Sequence, residues 1–392
     1  MSKNDTIIKP EIIEWARKRA RLTIEELAKK LHVSADRVRQ WEKGETPIGM
    51  EKARALAEYA VLPFGLLFAK KIPNIKITIP DCRSIRNKEV RTVSPELYGT
   101  ISSAEEKQDW YRDYLKEAGE EKLDFVGSIT EQTPIQDVVK KLYAVLKCDP
   151  DQIRKENSTW EKLFDFLICQ VENAGILFMR NGILHNNTRR RLDLEEFRGF
   201  VLVDEWAPLI FINGSDYPAA QLFTLIHELV HLLLGKGGIT DAEMFSSHSS
   251  KTERFCNQAA AEFLVPEKEL KEKWNGKLSA DENIAALIKY FKVSSLVMIS
   301  RAEQTGLISS SESVAMRKRE IGRFKEIKAR LREHGGGNFY ATLKYRVSPL
   351  FAQTVIAEAN SNRILLRDAF RLLGVKNMNK LQEFSRSLGM PS

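Results

Sequence analysis

The sequence of 392 residues contains few cysteines and no long apolar run. No C-x-x-C pair occurs, which argues against a disulfide framework and against a cysteine-based metal knuckle. No stretch approaches the roughly 18 consecutive apolar residues of a membrane span, and the N-terminus lacks the apolar core of a signal peptide. We therefore expect a cytoplasmic protein with no membrane partner. The scattered cysteines are Cys82, Cys148, Cys169 and Cys256.

The remaining composition is ordinary for a globular protein. Hydrophobic residues make up 43% and charged residues 29% of the chain, which is long enough for two or three domains with their own cores. The formal net charge of +8 is compatible with a polyanionic partner or with a basic solvated surface. Charge alone does not decide between them.

Two histidines inside an apolar helical pattern are the most informative feature of the chain. His227, Glu228 and His231 spell H-E-x-x-H, with apolar residues before and after them. Residues four apart lie one above the other on a helix, so both imidazoles point the same way, and Glu228 lies about 100° around the helix. Burying these groups without partners is costly, and a metal satisfies both rings. The pattern predicts a catalytic zinc site with Glu228 as the general base.

A third ligand is expected from the helical stretch 253–266. Glu253 and Asn257 share one face of this helix, so Glu253 is predicted to bind the metal while Asn257 holds a ligand histidine by a hydrogen bond. Glu262 lies about 180° around the helix from Glu253, so the two carboxylates cannot both face the metal. Glu262 is predicted to be structural or solvated.

Other ligands and other metals stay open at this point. Cys256 is a soft potential ligand, but a small buried cysteine is more often a packing residue. His248 lies in a polar stretch, where it is either a surface residue or a group that stabilises an oxyanion. Two histidines and a carboxylate also accept manganese or iron, and affinity favours Zn²⁺.

The first seventy residues have the pattern of a compact bundle of short helices. Thr23 and Glu26 form a capping box, Ser34 can cap the next helix, and Gly44 can end it. Two helices joined by a turn match a helix-turn-helix, whose second helix enters the major groove and presents arginine and glutamine to base edges. Docking onto a protein partner is the alternative for this surface. The residues predicted to face DNA or that partner are Arg37, Arg39 and Gln40.

The rest of the chain predicts a small sheet surrounded by helices. Strands are expected at 175–180, 199–203 and 209–212, forming an antiparallel sheet, and the helix that carries the histidines is expected to begin near Pro218. The stretch 281–303 has the pattern of a second helix-turn-helix, which we expect to be a packing element. Isoleucines 75, 77 and 79 mark an extended connector, and glycines 335–337 mark a linker.

Two parts of the sequence resemble known families. The runs 223–232, 253–257 and 260–266 resemble the ImmA/IrrE zinc endopeptidases, and the segment 22–44 resembles the Xre/Cro helix-turn-helix family. The first resemblance implies a gluzincin-like peptidase that cuts a transcriptional repressor. It also implies His227, His231 and Glu253 as zinc ligands and Glu228 as the general base.

These observations predict an α+β, mostly helical protein. The predicted domains are an N-terminal five-helix bundle at 1–70, a connector with a helical segment at 71–126, a zinc peptidase at 127–308 with its small antiparallel sheet, and a helical domain at 309–392. The predicted function is Zn²⁺-dependent cleavage of a repressor, with double-stranded DNA as a possible second partner. The alternative is a DNA-binding regulator, or a toxin–antitoxin component, whose metal domain is a sensor or scaffold.

Overall fold

The computed structural model describes residues 8–73, 93–240, 250–331 and 339–390. They form two compact units, the first with residues 8–73 and 93–103 and the second with the described residues from 104 onward. The four-domain division predicted from the sequence stays a prediction. Other predictions lie outside the described residues, namely those on Ile75, Ile77, Ile79, Cys82, His248 and the three glycines at 335–337.

The first unit begins with the predicted bundle. Its elements are α1 (Pro10–Arg19), α2 (Ile24–Leu31), α3 (Ala35–Lys43), α4 (Met50–Ala60) and a 3-10 turn (Phe64–Phe68). The capping box of Thr23 and Glu26 opens α2, the side chain of Ser34 caps α3, and Gly44 ends α3 in the left-handed conformation. Each boundary therefore follows from a local signal in the sequence, and the prediction of five helical segments is confirmed with the fifth as a 3-10 turn.

Thirteen further helices are assigned in the described chain. They are α5 (Pro95–Ala118), α6 (Ile135–Val145), α7 (Trp160–Asn173), α8 (Pro218–Leu234), α9 (Lys251–Leu264), α10 (Glu267–Lys273), α11 (Ala280–Phe291), α12 (Ser295–Gln304), α13 (Ser310–Leu331), α14 (Phe339–Val347), α15 (Pro349–Asn360), α16 (Leu366–Leu373) and α17 (Met378–Ser387). A short π-helical turn (Gln152–Glu156) precedes α7. The mostly helical α+β class predicted from the sequence is confirmed.

The described part of the second unit contains one four-stranded sheet. Its strands are β1 (Leu177–Asn181), β2 (Gly199–Leu202), β3 (Leu209–Asn213) and β4 (Gly238–Thr240), in the order β1-β3-β2-β4. The prediction of an antiparallel sheet is wrong for β1, which pairs with β3 in parallel, and β4 was not predicted. The segments Leu177–Met179 of β1 and Leu209–Ile212 of β3 are continuous buried apolar runs, without the alternation of a half-exposed antiparallel strand, and the pairing of β1 with β3 joins residues far apart in the chain.

The helix α8 runs through the core of the second unit. It begins with Pro218 at its first turn, as predicted, and every residue from Gln221 to Leu234 is buried. Gly235 ends it in the left-handed conformation, packed so closely on Gly127 that a Cβ at position 235 would lie 2.9 Å from the Gly127 Cα. The backbone N–H of Gly127 donates to the carbonyl of Leu232 (3.0 Å). The segment before α6 thus closes the end of α8.

The predicted second helix-turn-helix pattern is a packing element. The helices α11 and α12 are joined by Lys292 in the left-handed conformation, and Ser294 caps α12. Residues Val297 to Ala302 of α12 are all buried, so this helix is not available to a DNA groove. No single helix in the described chain has the length and apolar character of a membrane span, and α11 with α12 reaches them only as a pair bent by 113°.

The C-terminal helices pack on the same core as the sheet. The carboxylate of Glu172, at the end of α7, accepts hydrogen bonds from the Ser348 hydroxyl (2.6 Å) and from the Leu350 backbone N–H (3.0 Å), at the start of α15. The ring of Tyr345 on α14 contacts Phe178 of β1 edge to face. These helices belong to the same compact unit as the sheet and α8.

Candidate metal centre

The two histidines of α8 point toward one site, as their spacing predicts. Their Nε2 atoms lie 3.1 Å apart, and both side chains are buried. Apolar residues flank them on the helix, so burying the two rings without a polar partner would be costly. Two ring nitrogens this close need a shared proton or a shared cation.

Glu253 completes a cluster of three potential ligands. It lies in the first turn of α9, where the Ser250 side chain accepts a hydrogen bond from its backbone N–H (3.1 Å). One carboxylate oxygen lies 3.1 Å from the Nε2 of His227, and the other lies 3.1 Å from the Nε2 of His231. Burial alone would raise the pKa of Glu253, but the two rings outweigh it and hold that pKa well below its usual range.

The spacing of these atoms fits a small tetrahedral ion. Nitrogen and oxygen ligands lie about 2 Å from zinc, so two ligands of one tetrahedral ion lie roughly 3.3 Å apart. With one ligand atom from each residue, the atoms of His227, His231 and Glu253 lie within 4.8 Å of one another, and they form the only such cluster among the described residues. The donor set is one that zinc accepts, with one position left for water.

Glu228 lies beside this cluster and is completely buried. Its Oε1 atom accepts a hydrogen bond from the Thr240 hydroxyl (2.5 Å), and its Oε2 atom has no hydrogen-bond partner among the described residues. Burial raises the pKa of Glu228 to about 8, against the opposing effects of His231 and of the Thr240 hydrogen bond. A cation bound at the neighbouring cluster would lower this pKa, so that the carboxylate could accept a proton near neutral pH and return it.

Two residues that contact Glu228 were missed in the sequence. Gly199 lies on β2, where an added Cβ would be 2.7 Å from Glu228 Oε1 and 3.0 Å from the Phe211 carbonyl oxygen. A glycine inside an apolar strand pattern is a known signal of close approach, so Gly199 could have been found. Thr240 offered no signal, because β4 has only three residues and was not predicted as a strand.

A third missed residue links the ends of the two ligand-bearing helices. Glu131, in the segment before α6, accepts hydrogen bonds from Lys236 (2.5 Å) and from the Thr252 hydroxyl (2.5 Å). Lys236 follows the end of α8, and Thr252 precedes Glu253 on α9. Glu131 therefore helps to fix the distance between the histidines and the third carboxylate.

The alternatives to Glu253 on α9 point elsewhere. Glu262 forms an ion pair with Arg301 and accepts a hydrogen bond from Gln136 (2.8 Å), so it has a structural role, as its helical position predicts. Cys256 is fully buried, and burial raises the pKa of its thiol well above the usual value, which disfavours the thiolate that binds metals.

The predicted hydrogen bond from Asn257 to a ligand histidine is not seen. Asn257 is buried on α9, but the Nδ1 atoms of His227 and His231 have no hydrogen-bond partner among the described residues. Their Nε2 atoms are directed at Glu253 and at each other. The role assigned to Asn257 therefore stays a prediction.

The predicted DNA-facing residues lie on the outer side of α3. Arg39 forms ion pairs with Asp36 (2.8 Å) and with Glu25 of α2 (2.7 Å), and it keeps 44% of its side chain exposed. Arg37 donates to the side chain of Gln40 (3.4 Å). A DNA phosphate or base that binds Arg39 would have to compete with two carboxylates.

Comparison with known protein families agrees with both of the family resemblances seen in the sequence. Residues 171–303 match the IrrE N-terminal-like domain of the M78 peptidases, residues 13–60 match a helix-turn-helix, and residues 347–387 match a domain of unknown function, DUF8813. No curated protein matches the chain. The M78 match makes the segment 171–303 metallopeptidase-like, and the helix-turn-helix is a DNA-binding motif. In their order and position, the two matches confirm the resemblance read from the sequence: an IrrE-like peptidase domain follows an N-terminal helix-turn-helix, which is the arrangement of an ImmA/IrrE protein with an N-terminal Xre-type helix-turn-helix.

Proposed function

We propose that the chain is a zinc-dependent endopeptidase in which His227, His231 and Glu253 hold the ion and Glu228 is the general base. The observation that carries this proposal is that two imidazole rings and one carboxylate bring their ligand atoms within 4.8 Å of one another, with a second carboxylate buried beside them. Two adjacent helices supply all four groups, so the site is built on rigid elements.

The roles of the protein groups follow from their positions. When bound, zinc polarises the scissile carbonyl and lowers the pKa of a water molecule toward neutrality. Glu228 takes the proton of that water at Oε2, the oxygen that the Thr240 hydroxyl does not occupy, and later passes it to the leaving amine. Glu253 balances part of the charge of the cation. The helix α9 holds its carboxylate beside the two histidine rings.

The substrate that we propose is a specific cytoplasmic protein, a transcriptional repressor paired with this enzyme. The proposal is supported by the resemblance to the ImmA/IrrE peptidases and by the helix-turn-helix on the same chain. The helix-turn-helix would bring the enzyme to its substrate, either on DNA or by docking to a similar domain.

Glu228→Gln tests the mechanism while preserving the metal site. The amide keeps the shape of the side chain but is a very weak base, so we expect zinc to be retained and cleavage to fall by at least about 100-fold. His231→Ala should lose zinc as well as cleavage. The assay mixes the purified chain and zinc with the product of the neighbouring gene and follows fragments by mass spectrometry.

The matched control is Glu117→Gln, which makes the same chemical change at an exposed position of α5. It should behave as wild type. Undiminished cleavage by Glu228→Gln would reject the proposed role of this carboxyl group.

A second candidate is a DNA-binding regulator whose metal domain senses or scaffolds without efficient cleavage. It is favoured by the exposed face of α3 and by the helix-turn-helix match. Stoichiometric zinc combined with no fragment from any candidate substrate would support this function over the first.

A further inference from the structure

We infer that Thr240 is a positioning residue, whose hydroxyl holds Glu228 so that only the Oε2 atom faces the reaction. This inference rests on the proposed function and deepens it. The hydroxyl donates to Oε1 at 2.5 Å, and Oε2 has no hydrogen-bond partner among the described residues. A carboxyl group bonded at one oxygen only is fixed in rotation and keeps the other oxygen available.

The sheet register places a matching gap opposite the hydroxyl. Thr240 of β4 pairs with Gly199 of β2, so the two positions lie side by side on one face of the sheet. A Cβ at Gly199 would lie 2.7 Å from Glu228 Oε1. The pair thus makes room for this oxygen. Gly199 of β2 has no side chain to fill the space, and Thr240 of β4 supplies the hydrogen-bond donor.

The short strand β4 runs alongside α8 for about one helical turn. Gly238, two residues before Thr240, lies next to His231, since an added Cβ there would be 3.8 Å from the His231 ring. Residues two apart on a strand are about 7 Å apart, and residues three apart on a helix rise about 4.5 Å. The strand β4 therefore lies alongside both Glu228 and His231, which keeps the general base in a constant position relative to a ligand.

An ordinary buried threonine offers a direct comparison. Thr224 lies on α8, and its hydroxyl donates to the carbonyl of Ala220 one turn earlier (3.2 Å), a local bond that many helical threonines make. The hydroxyl of Thr240 instead bonds a side chain twelve residues away on another element. Both residues are almost completely buried, so the same substitution at each removes one internal hydrogen bond.

The experiment compares Thr240→Val, Thr240→Ser and Thr224→Val in the full-length, zinc-loaded chain. The probe is a library of internally quenched peptides, and kcat, KM and bound zinc are measured for each variant. We expect Thr240→Val to lower kcat by roughly 10- to 100-fold with KM and zinc content unchanged, because only the orientation of the base is lost. Serine keeps the hydroxyl, so Thr240→Ser should stay within about 3-fold of wild type.

A second measurement does not depend on activity. In the metal-free chain, the thermal unfolding midpoints of Thr240→Val and Glu228→Ala should be non-additive when the two changes are combined. Additivity for Thr240, or equal kcat losses in Thr240→Val and Thr224→Val, would overturn the inference. If wild type cleaves neither the peptides nor the product of the neighbouring gene while Thr240 and Glu228 are coupled, the proposed function fails and the hydrogen bond stands as a structural one.

Discussion

The carboxyl group of Glu228 lies wholly inside the protein, next to two histidines and to the carboxylate of Glu253. The pKa values of the two acids are shifted in opposite directions. Burial raises the pKa of Glu228 to about 8, whereas the two rings lower that of Glu253. Two carboxyl groups whose environments push their pKa values apart are typical of a site with separate acid–base and electrostatic roles. The two roles proposed here, base and ligand, follow this division.

This raised pKa predicts how stability depends on pH in the metal-free chain. Folded Glu228 stays protonated up to about pH 8, while the same group ionises near its ordinary value of 4.5 when unfolded. The folded state therefore binds more protons in this window, so the free energy of unfolding should fall as pH rises from about 5 to 8. The lowered pKa of Glu253 acts below this window.

Urea unfolding at several pH values checks this expectation. Glu172 has a pKa raised by burial to about 7 and adds a dependence of the same sign, so the informative quantity is the difference between wild type and Glu228→Gln. The variant should show a shallower fall in stability between pH 5 and 8. Identical slopes in the two proteins would mean that Glu228 is ionised in the folded state.

At the scale of elements, the site depends on strands as much as on helices. The helices α8 and α9 supply the proposed ligands and base, and β2 and β4 set the position of the base. The segment before α6 closes the end of α8 and, through Glu131, reaches the start of α9. A change in any of these elements should therefore alter the geometry of the site.

Gly199→Ala tests the contribution of β2. The added methyl group would lie 2.7 Å from Glu228 Oε1 and 3.0 Å from a backbone oxygen, so the strand or the carboxylate must move. We expect the variant to lose roughly 1–3 kcal/mol of stability and most of its peptidase activity. Gly276→Ala is the control, because nothing lies within 4 Å of the Cβ that it adds. Equal stability in the two variants would show that β2 does not confine Glu228.

Local patterns were enough to predict the helices and the proposed ligands. The H-E-x-x-H spacing placed His227, Glu228 and His231 correctly on one helix, and the position of Glu253 on the next helix followed from its periodicity. The direction of β1, the existence of β4 and the contacts of Thr240 and Glu131 depend on residues far apart in the chain. Such contacts leave no local signal, so the sequence did not predict them.

At the scale of the whole molecule, two compact units belong to one chain. The helix-turn-helix lies in the first unit and the proposed metal centre in the second. The first unit presents arginines, but Arg39 is paired with two carboxylates, Glu25 and Asp36. The affinity of this unit for DNA therefore has to be measured. The dependence of that affinity on salt concentration distinguishes DNA binding from protein docking.

Salt titrations of the full-length chain on a random-sequence duplex of about 30 base pairs make this distinction. If α3 binds DNA, the logarithm of affinity should fall linearly with that of salt concentration, and Arg37→Ala should reduce the slope by about 1 for each phosphate that the variant no longer neutralises. Glu25→Gln should strengthen binding by releasing Arg39. Lys318→Ala, the same removal of charge on α13, is the control. Weak, salt-independent binding that none of these changes affects would count against DNA binding by α3 and favour the alternative of docking to a protein.

The central claim is that His227, His231 and Glu253 together hold one zinc ion, and elemental analysis of the purified chain tests it most directly. We expect about one equivalent of zinc per wild-type chain, a large loss in Glu253→Gln, and full retention in Glu272→Gln, an exposed position on α10. Wild-type protein without stoichiometric metal, or equal zinc in the two variants, would contradict the account.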